Sequence, residues 1–290
     1  MTEYETNHVT TANMPNTQRF AFIGFGEVGQ RFARDLLTRD DIQVSAYDIV
    51  FDETSSGSAR RAHARTLGVT PLMTLAEAIN GAHYVISAVT ADATERVAAT
   101  AAQHLRTGQI FIDVNSASPS TKQRAAGLVT TSGADYLEAA VMAAVLQPGI
   151  TVPILAGGPR ATKIAADLNR LGMNITAVAT EYGRASAMKL CRSIMIKGWE
   201  ALIVDCSAAA KHWNVETEVF GSLSASYPSI DWRALAADMG ERVATHGIRR
   251  SAEMHEAADM LADMGIDPSL SRAVADVQLR GARRKHDAPA

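Results

Sequence analysis

Three glycines in the spacing Gly24-x-Gly26-x-x-Gly29 follow a short apolar run and precede a segment with helical periodicity. This spacing, between a strand and a helix, is typical of a turn that binds the pyrophosphate of a dinucleotide. Gly24 permits the tight turn, Gly26 lets the backbone approach the phosphates, and Gly29 lets the helix pack closely against the strand. The first amides of the helix then offer donors and a partial positive charge. A glycine turn in an unrelated α/β fold is the alternative interpretation.

An acidic residue, Asp48, ends the next strand-like segment, nineteen residues after Gly29. A carboxylate at this position accepts hydrogen bonds from the adenosine ribose and repels a 2′-phosphate, which predicts NAD rather than NADP. Arg60 and Arg61 could reverse the preference if they fold back, and a plain turn residue is the alternative role for Asp48. The predicted cofactor-binding residues are Gly24, Phe25, Gly26, Glu27, Val28, Gly29, Asp48, Val89, Thr90 and Asn115.

A second group of polar residues lies on one long helical segment in the C-terminal half. At about 100° per residue, the stripe that they form spans roughly 140° of the helix. Its members are Lys189, Arg192, Ser193, Lys197 and Glu200. The rest of the segment is mostly apolar, which predicts a largely buried helix with one narrow polar face. Such a stripe most often faces water, but this one begins where the nucleotide-binding part should end, and sites form where domains meet.

The elements that must position these residues alternate between strand-like and helix-like segments up to about residue 180, and helical spacing continues from there to Arg284. Alternation of this kind predicts an α/β fold with a parallel sheet covered by helices on both faces. Helix starts are predicted at Thr74, from a capping box, and at Ser118, which is followed by proline. We expect a disordered tail (1–17), a Rossmann dinucleotide-binding domain (18–180) and an all-helical substrate and dimerisation domain (181–290).

Composition limits the classes of partner. The 290 residues include 28 basic and 31 acidic side chains, a net charge of −3, which argues against a nucleic-acid-binding protein. No apolar stretch reaches the roughly 18 residues of a membrane span, and the N-terminal residues do not form a secretory signal. Two cysteines cannot build a disulfide framework, and the scattered histidines form no metal-ligand pair. These features predict a cytoplasmic protein without nucleic-acid, membrane or metal partners.

Together the segments resemble the β-hydroxyacid dehydrogenase superfamily, which includes 3-hydroxyisobutyrate dehydrogenase and 6-phosphogluconate dehydrogenase. The glycine turn matches fully, and the segment from Asp113 to Pro119 is similar to the family's substrate-binding loop. The resemblance implies that Asn115 and Ser116 lie beside the nicotinamide and the substrate. A helix N-terminal turn held by short polar residues is the alternative. Lys189 lies at the position of the family's catalytic lysine.

Two segments depart from the family pattern. Met142-Ala143-Ala144 stands where the family typically has Ser-Gly-Gly, which narrows the pocket and favours a bulkier or more apolar substrate. Arg192 and Ser193 stand where the family usually has two asparagines, as in a branch called phosphogluconate-dehydrogenase-like oxidoreductases. Arg192 is expected to pair with a substrate carboxylate or phosphate. Ser193 is expected to orient Lys189 or the substrate hydroxyl.

The resemblance implies an NAD-dependent oxidoreductase that moves hydride between a hydroxyl-bearing substrate and nicotinamide, with Lys189 as general acid and base. An imine reductase-like enzyme, a decarboxylating enzyme and a nucleotide-binding sensor without turnover are the alternatives. The expected partners are a small polar or anionic molecule and a second copy of the chain, bound through the helical domain. The predicted substrate-binding residues are Asn115, Ser116, Met142, Ala143, Arg192 and Ser193.

Overall fold

The computed structural model describes the backbone of residues 17–286 and the side chains of residues 17–282. All but the last residue of the predicted N-terminal tail therefore lies outside the described residues. The strands are β1 (Gln18–Ile23), β2 (Ile42–Tyr47), β3 (Thr70–Pro71), β4 (Tyr84–Ser87), β5 (Ile110–Asp113), β6 (Asp135–Val141), β7 (Pro153–Gly157) and β8 (Asn174–Ala179). The helices are α1 (Glu27–Leu36), α2 (Gly57–Thr66), α3 (Leu75–Ile79), α4 (Thr94–Ala102), α5 (Pro119–Thr130), α6 (Ala161–Arg170), α7 (Arg184–Trp213), α8 (Glu216–Ser226), α9 (Trp232–Asp263) and α10 (Ser269–His286).

The strands form one sheet in the order β3-β2-β1-β4-β5-β6-β7-β8. Each neighbouring pair from β3 to β6 is parallel, so the carboxyl ends of these strands lie along one edge. The predicted parallel sheet is confirmed for these pairs, and the exception is β7, which pairs antiparallel with β6. The physical reason is the connection: residues 142–152 contain only a 3₁₀ turn, whereas a parallel crossover usually needs a helix.

Side chains alternate across the sheet and bury both of its faces. In β1, Phe20 and Phe22 point to one face, whereas Ala21 and Ile23 point to the other. Helices α1 and α6 pack on the first face, and α3, α4 and α5 pack on the second. The predicted α/β fold with helices on both faces of the sheet is therefore confirmed.

Both predicted helix starts have the expected caps. At α3, the Thr74 hydroxyl accepts a hydrogen bond from the Glu77 amide (3.2 Å), and the Glu77 carboxylate accepts one from the Thr74 amide (3.1 Å). At α5, Ser118 is the N-cap and Pro119 the first helical residue. These local signals fix where α5 begins and therefore where the loop before it must end.

Four helices follow β8. The two longest, α7 with 30 residues and α9 with 32, pack with α10 around Leu190, Met254, Ala257 and Val274. In the described residues after Ala179 no strand occurs, as predicted. The division into domains at residue 180 stays a prediction. None of the described helices combines the length and apolar character needed to cross a membrane.

The orientation of α7 is the reverse of the expected one. Three residues of its polar stripe are buried, namely Ser193, Lys197 and Glu200. Several of its apolar side chains are exposed instead, namely Met188, Met195, Trp199 and Leu202. The interpretation of the stripe as a solvated face is therefore wrong for the three buried residues. They are buried because α9 and α10 provide polar and charged partners opposite them.

Candidate active site

The glycine turn connects the carboxyl end of β1 to α1. Gly24 has a φ of +86°, and a Cβ there would lie 2.4 Å from the Ala88 carbonyl oxygen. A Cβ on Gly29 would lie 2.6 Å from the carbonyl oxygen of Gly24. Around Gly26 nothing lies within 4 Å of such a Cβ. Gly24 and Gly29 are thus required by the fold of the turn, whereas Gly26 leaves an open approach to the backbone.

This turn fits the phosphates of a dinucleotide. Gly26 is the N-cap of α1, and no side chain in the described part of the chain caps the helix, so its first amides can donate to an anion. The Asp48 carboxylate accepts hydrogen bonds from the amides of Phe25 (2.6 Å) and Val50 (3.1 Å). Asp48 therefore ties the turn to the end of β2, at the position expected for the adenosine ribose. The remaining residues of the predicted set near the turn, Glu27 and Val28, form the first turn of α1.

Asn115 joins the ends of β4 and β5. Its Oδ1 accepts a hydrogen bond from the Val89 amide (2.7 Å), and its Nδ2 donates to Oγ of Ser87 (3.1 Å). Val89 and Thr90, both predicted to bind cofactor, directly follow β4. The buried Asn115 amide thus fixes the two neighbouring strand ends beside the glycine turn.

A buried ion pair holds the loop that begins at Val114. Nζ of Lys122 donates to Oδ1 of Asp113 (2.7 Å) and to its carbonyl oxygen (3.0 Å), and both side chains are fully buried. The Tyr136 hydroxyl donates to Oδ2 of Asp113 (2.6 Å). Burial and the adjacent carboxylate raise the pKa of Tyr136 well above its usual value, so the hydroxyl remains a donor. Oδ1 of Asp113 also accepts a hydrogen bond from the backbone amide of Asn115 (3.0 Å).

Helix α7 begins beside the middle of β6, where a buried carboxylate caps it. Glu138, in the middle of β6, accepts hydrogen bonds from the amides of Gly183 and Ser186, both at 2.6 Å. A negative charge at a helix N-terminus is stabilised by the free amides there. Gly183 has a φ of +94°, which lets the chain turn sharply into the helix.

This start brings Lys189 to the loop after β5. Nζ of Lys189 donates to Oγ of Ser116 at 2.5 Å. Burial lowers the pKa of Lys189 to about 8, with the positive charges of Lys122, Lys197 and Arg249 acting in the same direction and Glu253 acting against them. An amine with this pKa exchanges its proton close to neutral pH, which suits a general acid and base.

The other predicted substrate residues lie at different distances from this contact. Met142 and Ala143 follow the carboxyl end of β6, where the Met142 amide donates to the Pro153 carbonyl oxygen (2.9 Å). Ser193 is buried one turn after Lys189, and its hydroxyl donates to Glu253 (2.8 Å). Arg192 is exposed. The structure thus brings Asn115, Ser116, Lys189 and Ser193 to one side of the sheet edge. Arg192 has no hydrogen bond or ion pair with any of them in the described residues.

Two residues that the sequence did not reveal approach the site from α9. The Glu253 carboxylate accepts from Ser193, and the Glu256 carboxylate accepts a hydrogen bond from the Ser118 amide (2.7 Å). Nothing in their spacing marks them, because they lie more than sixty residues after Lys189 in a helix that carries many acids. Glu138 had a detectable signal, since it is a carboxylate flanked by apolar residues in the middle of β6.

Comparisons with known proteins show the family and the fold of this chain. The family model of the NAD-binding domain of 6-phosphogluconate dehydrogenase matches residues 19–179, and a domain of unknown function matches residues 210–280. A conserved hypothetical protein from Sinorhizobium meliloti 1021 is 39% identical, with 98% of this chain and 94% of that chain covered and a TM-score of 0.80. A conserved protein of unknown function, described as structurally similar to 3-hydroxyacid dehydrogenases, is 33% identical, with 93% and 100% covered and a TM-score of 0.73.

More distant structures share the fold alone. The 3-hydroxyisobutyrate dehydrogenase of Mycobacterium tuberculosis, determined with L-serine, is 18% identical, with 93% of this chain and 96% of that chain covered and a TM-score of 0.75. An imine reductase from Streptomyces aurantiacus is 22% identical over the same shares, with a TM-score of 0.52. From the matched family model and the two relatives above 30% identity, we conclude that this chain belongs to the family of the 6-phosphogluconate dehydrogenase NAD-binding domain, within the β-hydroxyacid dehydrogenase superfamily.

Proposed function

We propose that this chain is an NAD-dependent oxidoreductase that moves hydride between a hydroxyl-bearing carbon and nicotinamide, with Lys189 as general acid and base. The observation that carries the proposal is the 2.5 Å contact between Nζ of Lys189 and Oγ of Ser116. It lies at the edge of the sheet where the glycine turn ends, so a dinucleotide on that turn would extend toward it. When bound, the nicotinamide would supply the hydride acceptor.

The chemistry assigned to Lys189 follows from its proton affinity. An alcohol that loses hydride must also lose its hydroxyl proton, because an alkoxide alone is too high in energy. With its pKa lowered to about 8, the neutral amine of Lys189 is populated enough to take that proton near neutral pH. In the reducing direction the ammonium returns it. Ser116, in contact with the amine, would hold the substrate hydroxyl in line.

A polar or anionic substrate would meet two exposed arginines near this site. Arg192 lies one turn after Lys189, and its pairing with a substrate carboxylate or phosphate stays a prediction. Arg249 lies on α9, one turn before Glu253, and its charge acts on Lys189. Within the described residues, Arg249 has neither an ion pair nor a hydrogen bond to a protein group. Its free guanidinium favours it as a second candidate for pairing with the substrate.

The exposed apolar side chains of α7 support the proposal that two copies of the chain assemble through the helical part. Met195, Trp199 and Leu202 are 63%, 44% and 69% exposed. Exposure of several large apolar side chains on one helix is unusual for a monomer. Trp213, at the end of α7, is 74% exposed. A mass measurement in solution, by light scattering at micromolar concentration, should give a dimer, and a strictly monomeric mass would contradict this assembly.

The cofactor preference is tested by comparing kcat/KM for NAD and NADP. The Asp48 carboxylate at the end of β2 would repel a 2′-phosphate. Arg61 donates a hydrogen bond to the Phe51 carbonyl oxygen. This bond holds the Arg61 side chain against the backbone at Phe51. We therefore expect a preference for NAD that Asp48→Ser weakens. A strong preference of the unaltered protein for NADP would contradict the assignment.

The reaction class is tested with a panel of substrates and both cofactors. Nicotinamide absorbance is followed with β-hydroxy acids and NAD, with the corresponding keto acids and NADH, and with cyclic imines and NADH. We expect turnover with hydroxy acids and keto acids. Met142-Ala143-Ala144 favours the larger and more apolar members of the panel.

The same panel separates the alternatives. Turnover of imines alone would support an imine reductase, and carbon dioxide release during alcohol oxidation would support a decarboxylating enzyme. Binding of NADH, followed by its fluorescence, without turnover of any class would support a sensor. Each of these outcomes would contradict the proposed reaction.

A further inference from the structure

A closed cluster of charged and polar side chains lies between α7 and α9, directly beneath Lys189. Nζ of Lys197 forms an ion pair with Oε2 of Glu253 (3.1 Å) and donates to Oγ of Ser193 (3.1 Å). The Ser193 hydroxyl donates to Oε1 of Glu253 (2.8 Å). Each of the three groups therefore touches the other two. The cluster is almost fully buried, with Lys197 and Glu253 side chains only 9% and 12% exposed.

We infer that Lys197 and Glu253 are positioning residues for Lys189: they form a fixed pair of opposite charges whose two members act on its amine with opposite sign. This inference rests on the proposed role of Lys189 as acid and base. Neither residue touches the Ser116 contact, so neither is assigned a step of the reaction. Their effect is on how readily Lys189 holds its proton.

The charges that face Lys189 come from three helices. Helix α9 contributes Glu253 and Arg249, α5 contributes Lys122, and α7 itself contributes Lys197. Lys122 is paired with the buried Asp113 carboxylate, which offsets much of its charge. Of the charges that act on Lys189, Glu253 has the largest effect, and it raises the pKa.

Glu253 stays charged at neutral pH, and its carboxylate favours the charged form of Lys197. Burial alone would raise the pKa of Glu253, but the ammoniums of Lys189 and Lys197 and the hydrogen bonds from Ser193 and Lys197 lower it to about 2. Burial lowers the pKa of Lys197, and Glu253 opposes this shift. A buried ion pair of this kind acts as a permanent source of field because water cannot screen it.

The geometry of the Lys197–Glu253 pair is also fixed by contacts further along α7. One turn further along α7, the buried Glu200 carboxylate accepts hydrogen bonds from Arg250 of α9 and from Gln278 of α10 (3.0 Å). These contacts fasten α7 to both neighbouring helices. The Lys197–Glu253 pair therefore cannot turn away from Lys189 without breaking a second buried network.

The direction in which each substitution should shift the pKa of Lys189 follows from the charge that it removes. Glu253→Gln removes the negative charge and should lower the pKa of Lys189, by about 1 unit for a nearby buried charge. Lys197→Met removes a positive charge and should raise it by a similar amount. The double variant removes both and should leave the pKa of Lys189 near its value of about 8.

The measurement is an NMR titration of the intact protein labelled with ¹³C at the lysine Cε, with the Lys189 signal assigned by its loss in Lys189→Arg. Glu253→Gln leaves Lys197 buried without its partner and risks misfolding. Lys197→Met and the double variant then decide. Asp205→Asn is the matched control, because Asp205 lies on the same helix but pairs with the exposed Arg280.

Opposite shifts in the two single variants, with the double variant between them and Asp205→Asn unchanged, would support the inference. Equal titration curves in the unaltered protein and the variants, or shifts of the same sign, would overturn it. Because the titration needs no substrate, it tests the inference even if no turnover is found. Where turnover exists, the acid limb of kcat/KM for oxidation should move to lower pH in Glu253→Gln and to higher pH in Lys197→Met, since the neutral amine is the active form.

Discussion

The glycine turn and the lysine site lie at the same edge of the sheet, but they are built in different ways. The turn is complete within six consecutive residues, and the steric limits at Gly24 and Gly29 come from the turn and the adjoining strand end. The lysine site needs Ser116, Lys189 and Glu253, which belong to a loop and two helices far apart in the chain. A local site can be recognised from spacing, whereas an assembled site becomes visible only when the helices have packed.

The assembled site should therefore be the more sensitive to loss of a buried partner. Lys122→Met leaves the Asp113 carboxylate buried without its cation, and we expect a loss of about 3–5 kcal/mol in the free energy of unfolding. Urea denaturation measures it. Arg124→Met, two residues along on the same helix, removes an exposed pair with Glu95 and an exposed hydrogen bond to Thr121, and should cost less than about 1 kcal/mol. Equal losses in the two variants would show that the buried pair does not support the loop.

Substitutions in the glycine turn should separate effects on stability from effects on NADH binding. Gly24→Ala forces a side chain into a left-handed conformation and against the Ala88 carbonyl, so we expect a loss of at least about 1–3 kcal/mol. Gly26→Ala meets no neighbour and should change stability by less than about 0.5 kcal/mol while weakening NADH binding. Thermal denaturation and NADH fluorescence measure the two effects. Unchanged NADH affinity in Gly26→Ala would contradict the assignment of the phosphates to this turn.

The two arginines near Lys189 provide a smaller test within the assembled site. With an anionic substrate, Arg249→Met should raise KM about tenfold through loss of one charge-assisted pair. Arg192→Met should raise KM less, because Arg249 lies near enough to Lys189 for its charge to lower the pKa of that residue. Steady-state kinetics of both variants with a charged and an uncharged substrate make the comparison. A larger effect of Arg192→Met would restore Arg192 as the partner of the substrate.

What the sequence could predict follows the same division. The glycine turn, the caps at Thr74 and Ser118 and the alternation of strands and helices are local, and all are confirmed. The reversal of β7 depended on the length of its connection.

The polar stripe of α7 did not reveal that its face is buried, for a related reason. Periodicity showed that Ser193, Lys197 and Glu200 share one face, and this is correct. It could not show whether that face meets water or other helices, because the answer depends on charges fifty or more residues away on α9. The burial of these residues is decided by Glu253 and Arg250, which carry no signal of their own in the sequence.

The most direct test of the central claim separates cofactor binding from chemistry at Lys189. Lys189→Ala should lower turnover by about 10²–10⁴-fold, the usual contribution of a general acid and base, while the NADH dissociation constant stays within about twofold. Lys163→Ala, an exposed lysine on α6, is the control and should change neither. Retention of near-normal turnover in Lys189→Ala would contradict the account, because another group would then have to carry the proton.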